Sequence, residues 1–238
     1  MSYDQNLYRA EEYTMADQAT RDERAAFITK TYAHLFAAII AFVTLEAIIL
    51  SLPIAAQFTG WVAGTQYGWL AVLGGFMAVS WIANSWAQSG ASLGLQYAGL
   101  SLYVFAEAII FAPLLYIAAN FGPVGVIPSA AIVTGCVFTG LTSIVFFTRK
   151  NFSFLGPFLG VAGFAALGII VCGILFGFNL GIFFTGAMIL FAAAYILYTT
   201  SNILHEYRTD QYVAASLALF AAVALLFWYI LRIFMSRD

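Results

Sequence analysis

Apolar residues run through this chain in seven long blocks, each bounded by a few polar or turn-forming positions. The blocks are Thr31–Leu50, Tyr67–Ala87, Gly94–Ala118, Val124–Phe147, Phe154–Gly177, Leu180–Ser201 and Val213–Leu231. A helix needs about 20 apolar residues to cross the hydrocarbon core of a bilayer, and every block meets that length. None alternates apolar with polar residues at period two, which sets aside the strands of a membrane barrel. Inside lipid every backbone N–H and C=O must be paired within its own segment, so helices are the remaining solution. The pattern predicts an all-α membrane protein, a bundle of seven transmembrane helices.

The punctuation supports this division. Ser51-Leu52-Pro53 ends the first block, and Asn84–Gly94 separates the second from the third. Asn120–Pro123, Thr148–Asn151, Phe178-Asn179 and His205–Gln211 separate the rest. Most linkers are short, so successive helices are expected to be antiparallel neighbours. Pro113, Pro128 and Pro157 are expected near span ends or at kinks. The domain reading is a polar cytoplasmic tail over 1–30 with one short helix around Ala16–Phe27, a membrane domain over 31–234, and a short C-terminal tail over 235–238.

Composition sharpens the picture. Of 238 residues, 63% are hydrophobic and 8% charged, against about 25% charged in an ordinary soluble protein. Mean hydropathy is +0.93. A soluble globule cannot solvate such a surface, so a water-soluble enzyme, a nucleic-acid binder and a disordered chain are excluded. Ten of the twenty charged residues fall in the first 30 positions. That tail has no apolar core of a secretory signal, and its mixed signs make no polybasic lipid anchor. With the N-terminus in the cytoplasm, the inner segments hold seven Lys and Arg residues and the outer ones two, Arg232 and Arg237. That asymmetry orients the bundle.

Candidate chemistry is sparse. Cys136 and Cys172 lie inside apolar runs without further ligands and are read as small packing residues rather than a metal site. Gly156-x-x-x-Gly160 and Gly173-x-x-x-Gly177 are read as close-approach points between helices of one chain. His34 is read as interfacial, and His205 and Glu206 as solvated. No P-loop or paired histidine motif is present, and no cofactor is called for. Two carboxyl groups stand inside spans. An ionised side chain at the bilayer centre costs about 3 kcal/mol or more, so such a residue faces the bundle interior, a water-filled cavity or a partner. Glu46, about four residues from the end of its span, is a candidate for an ion or proton path, and its bland reading is an interfacial or protonated glutamate within reach of interfacial water. Glu107 sits near the middle of Gly94–Ala118, one turn after Tyr103 and six residues before Pro113, and is the candidate for contact with a proton or cation.

Five segments together resemble the Bax inhibitor-1 family, the transmembrane Bax-inhibitor-motif proteins. They are Phe27–Glu46, Tyr103–Pro113, Ala131–Ser143, Arg149–Gly156 and Ala194–Asp210, the last running on into Leu217–Arg232. The resemblance covers about residues 25–234 in order and spacing. It implies a seven-helix bundle with the seventh helix at the centre, a calcium-permeable leak and control by pH through two aspartates. At the places of those aspartates this chain has Thr199 and Ala222. The arginine often found in the family's second helix has no counterpart, since Tyr67–Ala87 carries no charge. Two facing carboxyls share a proton and hold a divalent cation; a threonine and an alanine do neither. Glu107 and Glu46 match family glutamates of the third and first helices.

These readings point first to a multi-pass calcium or cation leak, or a stress-related membrane factor, with altered or absent di-aspartate gating. The alternatives are a non-transporting regulator that binds a membrane protein, such as a membrane-bound AAA protease, and a proton-coupled solute transporter using Glu107. The expected location is a bacterial inner membrane, and the expected partners are the bilayer and a cation, with no nucleic acid.

Overall fold

In the computed structural model of the protein, residues 14–236 are described, apart from positions 66 and 91. The described residues form eight helices: α1 (Arg21–Ser51), α2 (Pro53–Gly64), α3 (Gly68–Ala87), α4 (Leu93–Phe121), α5 (Val126–Thr148), α6 (Leu155–Phe176), α7 (Gly181–His205) and α8 (Tyr212–Met235). Seven of them are long and apolar enough to cross a membrane, and α2 is not among these. The fold is the all-α, seven-span bundle that the apolar pattern predicts.

Local chemistry sets the helix ends. Thr20 caps α1, and its backbone N–H in turn donates to the Glu23 carboxylate at 3.0 Å, closing a capping box. Ser92 accepts from the Leu95 N–H at the start of α4. Pro53, Pro128 and Pro157 all fall in first turns, where the missing N–H has no helical partner to lose. Pro113 lies inside α4, and there it removes one rung of the helical ladder.

Two expectations are corrected. The helix expected around Ala16–Phe27 begins instead at Arg21, where the capping box starts it, and runs unbroken into the first span. The last ten residues of the polar tail therefore belong to α1, while 1–13 lie outside the described residues, as do 237 and 238. The segment between the first two spans is no simple loop: α2 fills it, with Ala55, Thr59 and Val62 turned inward and Ile54 and Trp61 outward. Twelve residues are too few to cross a bilayer, so α2 caps the bundle against α4, α3 and α1.

The bundle is built around α8 and α4. Within their apolar windows 67% and 56% of residues are buried, against 11–22% for the other spans. The outer helices turn Phe36, Trp81, Phe147, Phe164 and Phe183 outward, as a lipid-facing surface requires. Both cysteines are exposed on that surface. They do not pack in the core, which corrects the packing role expected of them. A cluster of rings ties α1, α4 and α8 at mid-depth: Phe42 meets Phe111 edge-on at 5.2 Å and Phe220 at 5.9 Å.

One end of the bundle gathers the start of α1, the ends of α3, α5 and α7, and the starts of α4, α6 and α8. Ala16 N–H donates to the Tyr207 carbonyl and Thr209 N–H to the Thr14 carbonyl, pairing the segment before α1 with the α7–α8 linker. Arg24 donates to the Leu204 carbonyl at 3.0 Å. Phe152 N–H donates to Ser201 Oγ at 2.8 Å, holding the α5–α6 linker to α7. His34 Nδ1–H donates to the Lys30 carbonyl, its Nε2 accepts from Tyr97 at 2.9 Å, and Lys30 lies over the Tyr212 ring. This N-terminal face carries Arg21, Arg24, Lys30, Arg149, Lys150 and Arg208; Arg232 stands at the other end.

Candidate functional site

A cavity of about 720 Å³ opens at the end of the bundle opposite the N-terminal face. Five helices line it. α3 contributes Trp69, Leu73 and Phe76; α4 contributes Tyr103, Glu107 and Phe111; α6 contributes Ile170 and Gly173. Tyr195 enters from α7, and α8 supplies Ala221, Leu225, Trp228, Tyr229 and Arg232. From Ala221 to Arg232 the α8 wall rises about 16 Å toward the mouth, at 1.5 Å per helical residue. Arg232 and the Phe178–Leu180 turn stand at the mouth, and Glu107 stands at the floor.

Helical spacing puts the floor together. Tyr103, Glu107 and Phe111 follow one another at intervals of four, so they share a face of α4. That face looks toward α8, because both helices are buried on most sides. Phe111 packs edge-on against Trp228 at 4.9 Å, and Tyr103 lies edge-on to Phe76 at 5.9 Å and to Phe220 at 6.2 Å. The Tyr103 hydroxyl is directed to the Glu107 carboxyl, and Tyr195 of α7 neighbours Tyr103. Glu107 is 6% exposed, and what exposure it has faces the cavity. Below it Phe42, Phe220, Leu100, Val104 and Leu217 fill the bundle toward the N-terminal face.

Glu46 is elsewhere. It continues the inward stripe of α1 formed by Phe27, Thr31, Leu35, Ala38 and Phe42, and it is 4% exposed. Neither of its carboxyl oxygens has a hydrogen-bond partner among the described residues. It does not line the large cavity, and it does not reach interfacial water as its position near the span end led one to expect. The helix face, not the distance to the helix end, decides its burial. Thr199 and Ala222 are both buried, on α7 and α8, which pack closely together. Ala222 neighbours the cavity-lining Ala221, and the Thr199 hydroxyl is within reach of Tyr195. Neither place supplies a carboxyl group.

Several contributors escaped the sequence reading. Trp228 and Tyr229 were legible only as part of an apolar block, and Arg232 only as an outer basic residue. Tyr32, Thr142 and Thr200 bring three buried hydroxyls from α1, α5 and α7 into one neighbourhood. In the polar run 198–202 at the end of α7, Ser201 is the clamp for the α5–α6 linker, and Thr200 and Ser201 are fully buried. On the N-terminal face a smaller niche of about 200 Å³ is lined by Gln88, Asn202, Glu206, Tyr207 and Gln211. Burial there pushes the Tyr207 phenol above its ordinary range, so it remains a neutral donor. Among the described residues no group of three or more His, Cys, Asp or Glu side chains is placed to hold a metal.

The glycine pairs behave differently from expectation. A Cβ on Gly156 would lie 3.0 Å from the Tyr198 ring, and one on Gly173 3.3 Å from Leu180, but Gly160 meets nothing within 4 Å. Gly177 ends α6 in the left-handed region at φ 70°, a turn position and not a packing one. A much tighter approach of two helices is at Gly99, where an added Cβ would stand 2.5 Å from the Ala83 carbonyl oxygen of α3.

Comparison with known proteins agrees with this architecture. Residues 24–238 match the family model described as "Inhibitor of apoptosis-promoting Bax1". The chain is 28% identical over 225 residues to Bax inhibitor 1 of Schizosaccharomyces pombe, covering 92% of this chain and 80% of that protein. It is 36% identical over 149 residues to Protein LIFEGUARD 4 of Arabidopsis thaliana, covering 58% of each. An uncharacterized protein of Pseudomonas aeruginosa is 38% identical over 112 residues, covering 46% of this chain and 49% of that protein. The matched regions thus span about half the length of these last two relatives. With six spans around a buried seventh and a family match across nearly the whole membrane domain, the chain belongs to the Bax inhibitor-1 family.

Proposed function

We propose that this protein is a cation-conducting membrane bundle in which Glu107 is the group that meets the permeating ion or proton. The observation that carries the reading is the position of that carboxyl: it is the acidic side chain at the floor of the large cavity, and the cavity leads from it to one face of the bundle. A carboxyl at that depth needs a proton, a cation or a cavity with water. Glu107 has the cavity, and Tyr103 as a hydroxyl neighbour.

Gating in this reading is simpler than a carboxylate pair would provide. Thr199 and Ala222 cannot share a proton, so the floor titrates as one carboxyl. The reading also sets the N-terminus in the cytoplasm, since the face with the basic side chains is the one retained on the inner side. A bacterial inner membrane suits the lean linkers.

The test is calcium and proton flux into liposomes holding the purified chain, from about pH 5 to 8. The parent is expected to conduct with one pH transition, and Glu107→Gln to remove that transition while the helical circular-dichroism signal stays intact. Parent protein that passes neither ion at any pH sinks the proposal and favours a regulator that binds another membrane protein. A transition that survives Glu107→Gln moves the sensing group elsewhere.

A further inference from the structure

We propose that the cavity above Glu107 binds a lipophilic organic cation, a bulky aromatic onium ion, with the charge against the Glu107 carboxyl and the rings against the cavity wall. This names the class of cation for the site described above and rests on Glu107 being its cation-contacting group.

The size and lining of the cavity select the ligand. Its volume of about 720 Å³ falls inside the range of roughly 300–1,000 Å³ typical of small-molecule sites. A bare calcium ion takes six to eight oxygen ligands at close range. This floor offers one carboxyl and the tyrosine hydroxyls near it, and the Asn179 amide stands at the far end by the mouth. The walls are instead aromatic: Phe76, Tyr103, Phe111, Tyr195, Trp228 and Tyr229. Ring faces are negative and attract an organic cation, most strongly where water is excluded. A lipophilic cation sheds its hydration at little cost and replaces it with this apolar, ring-rich wall, which a metal ion does not.

Charge placement decides between a cation and an anionic amphiphile. The other ionisable groups facing the cavity are Tyr103, Tyr195, Tyr229 and Arg232. Arg232 sits at the mouth and is half-buried, where water screens it. Glu107, between the Tyr103–Phe220 and Phe111–Trp228 contacts, is level with Ala224 and so about 12 Å deeper by helical rise, at 6% exposure, where an electrostatic contact is worth far more. An anion drawn in by Arg232 would have to stop at the mouth or approach ring faces and a carboxyl of its own sign. The packing also offers a route from the lipid. α6 forms one wall through Ile170, Gly173 and Ile174, yet it packs chiefly on α7 and only thinly on α3. The α3–α6 seam is therefore the weak side of the cavity, facing a solvent in which lipophilic ions concentrate.

The test uses the full chain in nanodiscs, with tetraphenylphosphonium as the probe. Tetraphenylborate has nearly the same shape and opposite charge, and triphenylphosphine oxide is a neutral relative. Binding is read by equilibrium dialysis and by the fluorescence of Trp69 and Trp228 in the wall. Saturable phosphonium binding, at least tenfold tighter than that of either comparison compound, is expected. That ratio comes from the unaltered protein, so it decides the sign of the site whether or not any variant folds. Glu107→Gln should weaken phosphonium at least tenfold and leave the neutral compound within twofold; Ala221→Phe, which adds a ring inside the cavity, should weaken both. Absence of a saturable phosphonium site, equal affinity in Glu107→Gln, or tighter borate binding overturns the inference. Its failure is separable from failure of the flux reading. Glu107-dependent calcium or proton flux without phosphonium binding removes only the organic cation. Phosphonium binding that depends on Glu107, in a protein without flux, removes only conduction.

Discussion

Glu46 and Glu107 are the same side chain in the same kind of apolar helix, at 4% and 6% exposure, and their surroundings make them different objects. Glu107 has a tyrosine hydroxyl and an open volume beside it. Glu46 has neither a partner for its oxygens nor a place on the cavity wall. A buried polar group left unpaired costs about 1–3 kcal/mol, and replacing it with an apolar group of similar shape recovers much of that. Glu46→Met is therefore expected to stabilise the bundle by about 1–3 kcal/mol. The measurement is the denaturant or thermal midpoint of the monodisperse protein in detergent. A lower midpoint would mean that Glu46 holds a proton-linked or ionic contact that matters to the fold. Both glutamates were legible in the sequence as ionisable groups within apolar runs. Which of them faces open volume was not, because that depends on the five helices that enclose the cavity.

Between α3 and α4 the decisive residue is Gly99. An added methyl there would stand 2.5 Å from the Ala83 carbonyl oxygen and 2.7 Å from the Ala87 nitrogen, both backbone atoms that cannot swing aside. The two helices would have to separate, and with them Phe76 and Tyr103, which meet across this interface to form part of the cavity wall. Overpacking of this kind costs about 1–3 kcal/mol, so Gly99→Ala should destabilise by that amount. Gly160→Ala, at a helical site with nothing within 4 Å, should leave stability unchanged or raise it by up to about 1 kcal/mol. Paired unfolding curves check both, and equal effects would refute the close-approach argument. The spacing rule for small residues singled out Gly160 and passed over Gly99, since it records which residues are small and not which face meets a neighbour.

Across the whole molecule the two ends are unlike. The N-terminal face is closed by the strap before α1, the Ser201 clamp and the His34–Tyr97–Tyr212 cluster, and it carries the basic side chains. The opposite end holds the mouth of the cavity, with Arg232 the charged residue in its rim. If the basic face lies in the cytoplasm, the cavity opens outward. In a background of Cys136→Ser and Cys172→Ser, a cysteine at Lys150 should react only with a membrane-permeant maleimide in intact cells. One at Thr65 should react with an impermeant reagent as well. The background substitutions should be well tolerated, because both native thiols are exposed on the outer surface of the bundle. Reaction of both positions from the same side would break the seven-span arrangement.

Number, length and order of the spans are properties of the linear chain, since crossing a bilayer depends on a run of apolar residues and on pairing the backbone within that run. The same holds for the caps at Thr20 and Ser92 and for the first-turn prolines, whose partners lie within four residues. The separation of basic from neutral ends was legible for the same reason: it is a count along the chain. Facing is different in kind. In lipid an apolar residue looks alike whether it meets a neighbouring helix or an acyl chain, so hydrophobicity does not mark the inner side of a span. That is why Cys136 and Cys172 turned outward, Glu46 turned inward, and α2 emerged as a cap where a linker was expected. It is also why the cavity, formed where five helices fail to close over Glu107, exists only in the packed bundle.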